Sequence, residues 1–108
     1  IHPLNNLRVL KAIKRDLGAD EAARDAWTAR WITDGFAALE TMITRYGGAY
    51  ACGDTLTIAD CHIVPQVYSA ERFNVPLNAY PALMRAANNA HSHPAVARAH
   101  PDKQPDAS

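Results

Sequence analysis

The chain has 108 residues, the size of one domain, and 48% of them are apolar, enough to bury a real core. Its 11 basic residues balance 11 acidic ones, which argues against a nucleic-acid binder that tracks phosphates. No apolar run approaches the ~20 residues that span a bilayer, and the opening Ile1-His2-Pro3 has neither the basic nor the apolar segment of a secretory signal.

Helical periodicity dominates. The spacing predicts a first helix from Pro3 to Leu17, with Leu4, Leu7, Leu10, Ile13 and Leu17 along one face. Pro3 suits the first helical turn, and Gly18 is a natural stop. A second, long helix is predicted to start after Asp20, a good N-cap, with Glu21 favouring the positive end of the dipole. Its apolar stripe is Trp27, Trp31, Ile32, Phe36, Leu39 and Ile43, and Gly47-Gly48 ends it after Tyr46. A helix of that span is roughly 35–40 Å long and needs neighbours packed along it.

The third helix carries the clearest start signal. Thr57-Ile58-Ala59-Asp60 reads as a capping box, with Asp in place of the usual Glu or Gln, and Leu56 and Cys61 stand at staple positions. The helix continues through Ile63, Val64, Val67 and Tyr68 to Phe73, with a kink expected at Pro65. Asn74 to Tyr80 reads as a loop. Pro81 opens a fourth helix to His91, and a short helix from Pro94 to Ala99 follows. Residues 101–108 read as an extended polar tail. The fold class is therefore all-α, a bundle of four to five helices over residues 1–100.

The residue patterns exclude several chemistries. There is no Gly-rich phosphate loop, Ser nucleophile elbow, CxxC or HExxH. His91 and His93 form an H-x-H pair without a nearby acidic or Cys ligand, so we expect no metal site. Cys52 and Cys61 read as reduced, partly buried thiols. One polar cluster stands out at the start of the first helix: His2, Asn5, Asn6 and Arg8. With His2 and Asn6 four apart on one expected helical face, the cluster reads either as an ordinary exposed helix start or as a site for an anionic ligand.

The chain resembles the C-terminal domain of zeta-class glutathione transferases, the family of maleylacetoacetate and maleylpyruvate isomerases. Residues 1–10, Ile1-His2-Pro3-Leu4-Asn5-Asn6-Leu7-Arg8-Val9-Leu10, look like the opening helix of that domain. The similarity continues through Trp31-Ile32 and Gly35 to Glu40, and is strongest from Gly53 to Cys61. The stretches Val64-Pro65-Gln66-Val67, Ala70-Glu71-Arg72-Phe73 and Gln104-Pro105-Asp106 extend it over nearly the whole chain. The capping box is common to most glutathione transferases, whereas Val-Pro-Gln-Val and Ala-Glu-Arg-Phe are the zeta-like part.

The resemblance implies a cytoplasmic, homodimeric, glutathione-dependent cis–trans isomerase acting on a dicarboxylate diketo acid in aromatic catabolism. It implies glutathione contacts from His2, Asn6, Leu7 and Arg8, and carboxylate binding by Arg8 and Arg72. Thiol activation in that family belongs to a thioredoxin-like N-terminal domain, which nothing here matches, so no catalytic residue is expected in this chain. The chain, which lacks an initiating Met, is expected to begin inside a longer reading frame or after processing. Alone it is expected to be inactive, with apolar surface uncovered on its first and third helices. A general glutathione transferase and a free-standing helical interaction module are the alternatives.

Overall fold

Asp20 sets where the longest element begins. Its carboxylate accepts the backbone N–H of Ala23 at 2.8 Å. The computed structural model describes residues 1–107. Within them lie α1 (Leu7–Leu17), α2 (Glu21–Tyr46), α3 (Ile58–Arg72), α4 (Pro81–Ser92) and α5 (Pro94–Arg98), then a 3-10 turn at Pro101–Lys103. The 26 residues of α2 give a length of about 39 Å, and α3 and α4 pack along it.

The core joins Ile32, Phe36 and Ile43 of α2 to Ile63, Val67 and Ala70 of α3 and to Leu83 and Ala86 of α4. Phe36 meets the Tyr80 ring edge-on at 5.7 Å. Alanines at 82, 86, 87 and 90 let α4 approach closely, and all four are buried. The start of α4 has no side-chain cap from Tyr80. Glu40 on α2 replaces it, accepting the N–H groups of Ala82 at 2.9 Å and Leu83 at 2.7 Å.

Asp60 does more than its box position implied. One carboxylate oxygen accepts the Thr57 N–H at 2.9 Å and the Thr57 hydroxyl at 3.3 Å. The other accepts the N–H of Ala51 at 2.9 Å. Asp60 is fully buried, so this one side chain fixes both the start of α3 and the loop that precedes it. Gly53, at φ 80°, supplies the left-handed turn in that loop, and its carbonyl accepts the Tyr50 N–H at 3.0 Å.

Of four expectations, three change and one, the second, holds. First, α1 starts at Leu7, because Asn6 is extended and its side chain accepts the Arg8 N–H at 3.0 Å. The short amide wins the competition for the helix start, residues 2–5 form a turn, and His2 and Asn6 share no helical face. Second, of the apolar stripe only Leu10 is buried; Leu7 and Leu17 are 62% and 78% exposed. With Ile58 of α3 at 76%, the expected uncovered apolar surface is present on both helices. Third, Cys52 and Cys61 are free but exposed, because each borders an open cavity rather than the core. Fourth, the tail is not simply extended. Gln104 Nε2 donates to the carbonyls of Arg98 at 2.9 Å and His100 at 3.2 Å, folding it into the 3-10 turn. Helix α3 itself continues through Pro65.

Candidate functional site

The polar cluster is built on a turn that two helices clamp. Ile1 packs into a notch at Gly35 of α2, where a methyl group would overlap its Cγ1 and Cδ1 atoms. Trp27 of α2 donates its indole N–H to the Leu4 carbonyl at 2.9 Å. On the other side, Asn5 Nδ2 donates to Ser69 Oγ at 3.3 Å and to Gln66 Oε1 at 3.5 Å, both on α3. Residues 1–6 are thereby fixed, while His2, Asn6, Leu7 and Arg8 remain exposed. The positive end of the α1 dipole lies at this turn.

Arg72 is the last residue of α3. The helix is closed by Asn74 in the left-handed conformation, φ 56°. The Val75 N–H then reaches the Ala70 carbonyl at 2.9 Å, and the Asn74 N–H reaches that of Glu71 at 3.1 Å. This closure fixes the backbone from which Arg72 projects. Ser69, which holds Asn5, precedes Arg72 by one helical turn, so the clamp brings the N-terminal turn to the Arg72 end of α3. The Arg72 guanidinium carbon lies 5.9 Å from the centre of the Tyr68 ring.

Beside α3 runs an open groove of about 630 Å³, lined chiefly by apolar groups that include Leu56, Cys61, Val64, Tyr68 and Val96. Leu56 and Cys61, the expected staple pair, both border it. The ion pair Arg15–Asp16, at 2.7 Å, lies at the far end of α1. Its hydrogen bond lowers the Asp16 carboxyl and raises the Arg15 guanidinium from their ordinary values, with both side chains exposed. Among the described residues no group of three or more His, Cys, Asp or Glu is placed to hold a metal ion. His91 faces His100 ring to ring at 5.8 Å, and His93 instead caps α5 by accepting the Ala95 N–H.

Asn5 belongs to the polar cluster, but no sequence pattern marks its role, because its partners lie 61 and 64 residues away. Tyr68 and His100 are likewise unmarked. Their ring contact, 5.4 Å between centroids, joins α3 to a tail whose composition carries no periodic signal.

The family described as glutathione S-transferase, C-terminal domain, matches residues 8–98. A maleylpyruvate isomerase from Ralstonia sp is 49% identical over 98% of this chain and 51% of its own length. The holo structure of a maleylpyruvate isomerase, a bacterial glutathione S-transferase of the zeta class, superposes with a TM-score of 0.95 at 44% identity, over 100% of this chain and 52% of that one. A maleylacetoacetate isomerase from Anaeromyxobacter dehalogenans, solved with dicarboxyethyl glutathione and citrate, gives 0.91 at 37% identity, over 98% of this chain and 48% of that one. The chain thus spans about half the length of the curated relatives it matches. It belongs to the glutathione S-transferase C-terminal domain family.

Proposed function

We propose that this chain is the substrate-carboxylate half of a zeta-class, glutathione-dependent cis–trans isomerase acting on maleylpyruvate or maleylacetoacetate. The observation that supports this reading is the clamped N-terminal turn, which carries exposed His2, Asn6, Leu7 and Arg8 and is tied to α3 at Ser69, one helical turn before Arg72. The solved relative with dicarboxyethyl glutathione and citrate supports an anionic, multiply carboxylated ligand for such a site.

Glutathione, when bound, supplies a thiol that adds reversibly to the conjugated double bond and so frees it to rotate. The residues here fit such a cofactor at its edge: an exposed His2, the Asn6 amide and the positive start of α1 offer donors to an anionic peptide. We assign the carboxylates of the substrate to Arg8 and Arg72. A planar guanidinium gives two parallel charge-assisted hydrogen bonds to a carboxylate, which lysine cannot match. Positive charge at these positions also stabilises the enolate-like charge that builds up on the substrate. The thiol is activated in a thioredoxin-like half ahead of Ile1, and the apolar groove and exposed Ile58 support further protein packed on this one. A cytoplasmic homodimer belongs to the same reading.

The test is kinetic, in the two-domain protein. Arg8→Ala and Arg72→Ala should each lower kcat/KM for maleylpyruvate or maleylacetone by about 10- to 100-fold, the worth of a charged hydrogen-bond pair. Conjugation of chlorodinitrobenzene, which has no carboxylate but needs glutathione, should be largely spared in Arg72→Ala and lowered in Arg8→Ala, whose residue is also read as a glutathione contact. Wild-type isomerisation in both variants overturns the assignment, as does an equal loss in both assays for Arg72→Ala.

A further inference from the structure

An arginine at the exposed end of a helix carries much rotamer freedom, and something has to hold it if it is to meet a carboxylate in one geometry. We infer that Tyr68 is a positioning residue for Arg72, and that His100, which caps the first turn of the C-terminal tail, holds the Tyr68 ring in place. This inference rests on the carboxylate-binding reading of Arg72 given above.

The Arg72 guanidinium has no hydrogen bond or ion pair among the described residues. Its directional neighbour is the face of Tyr68, four residues earlier on α3, with the guanidinium carbon 5.9 Å from the ring centre. That distance is at the outer edge of the cation–π range. The kind of contact matters more than its strength. A carboxylate partner would occupy the N–H fork of Arg72, whereas a ring face restrains the guanidinium and leaves its donors free. Among the described residues Glu71, adjacent in sequence, forms no such pair.

Tyr68 is itself held. His100 meets its ring edge-on at 5.4 Å and 85°, and His91 of α4 meets His100 at 5.8 Å and 83°. His100 in turn accepts the Asp102 N–H at 3.2 Å through Nδ1 and stands 3.6 Å from the Asp102 carboxylate. A row of four side chains, Arg72–Tyr68–His100–His91, thus ties the end of α3 to α4 and to the first turn of the tail. The Tyr68 hydroxyl makes no hydrogen bond among the described residues, so the ring is the part that acts.

The experiment compares Tyr68→Leu, Tyr68→Phe, His100→Ala and Arg72→Ala in the two-domain protein, measuring KM for the dicarboxylate substrate, KM for glutathione, kcat and the unfolding temperature. Tyr68→Leu should raise substrate KM about three- to fivefold, the worth of an exposed cation–π contact, with glutathione KM unchanged. Tyr68→Phe should restore the wild-type value, and His100→Ala should shift substrate KM in the same direction as Tyr68→Leu. Wild-type substrate KM in Tyr68→Leu beside a raised KM in Arg72→Ala overturns the inference. So does a Phe variant as impaired as the Leu variant, since that would place the role in the hydroxyl. If Tyr68→Leu fails to fold, His100→Ala at wild-type substrate KM overturns the tail's part. Unchanged substrate KM in Arg72→Ala overturns the underlying reading, and this one with it.

Discussion

Replacing Asp60 by Ala should unfold this domain more effectively than any surface change. The carboxylate is fully buried and accepts two backbone N–H groups, from Ala51 and Thr57, at 2.9 Å each. Hydrogen bonds to a charged group contribute about 1.5–3 kcal/mol apiece, and both donors would be left inside without acceptors. Allowing for entry of water, the loss is about 3–5 kcal/mol, against a total stability of order 5–15 kcal/mol for a domain. With a urea dependence near 1.5 kcal/mol per molar, the midpoint should fall by about 2–3 M. Thr57→Ala is the control. It removes the cap hydroxyl, 3.3 Å from Asp60, and should cost about 1 kcal/mol. If Asp60→Ala costs no more than Thr57→Ala, the dual anchoring of loop and helix is wrong.

Glu40→Ala removes the acceptor for two first-turn N–H groups of α4. It should cost about 2 kcal/mol and speed hydrogen exchange selectively at Ala82 and Leu83; uniform exchange along α4 would contradict the capping role. Gly35→Val drives a branched side chain into Ile1 and should lower the melting temperature by roughly 5–10 °C, from about 1–3 kcal/mol of overpacking. A melting temperature equal to the wild type would show that the notch yields freely.

Much of this fold was legible because its signals are local. Asp20, Pro81 and the Thr57–Asp60 box each act within one helical turn, and each marks an observed start. The start of α1 differs from the expected Pro3 because two local signals compete there. Pro3 suits a first turn, but Asn6, three residues later, caps a helix better than it continues one. The leucines at 7 and 17 show a further limit. Periodicity gives a face but not what covers it, and among the described residues Leu10 of that face is covered while Leu7 and Leu17 are not. The candidate site was half legible. Resemblance supplied the arginines proposed for it, whereas the clamp through Asn5, Trp27 and Gly35 and the ring row behind Arg72 depend on partners tens of residues apart. Such pairings follow from the three-dimensional fold and leave no periodic trace.

The Ile1 notch bears on mechanics. A side chain seated against a helical glycine, in a turn tied to α2 and α3 by side-chain hydrogen bonds, is a rigid mount and not a tether. Residues 1–5 therefore move with α2 and α3 as one body. A pull applied at Ile1 is passed straight to two helices and is not taken up by slack in the turn.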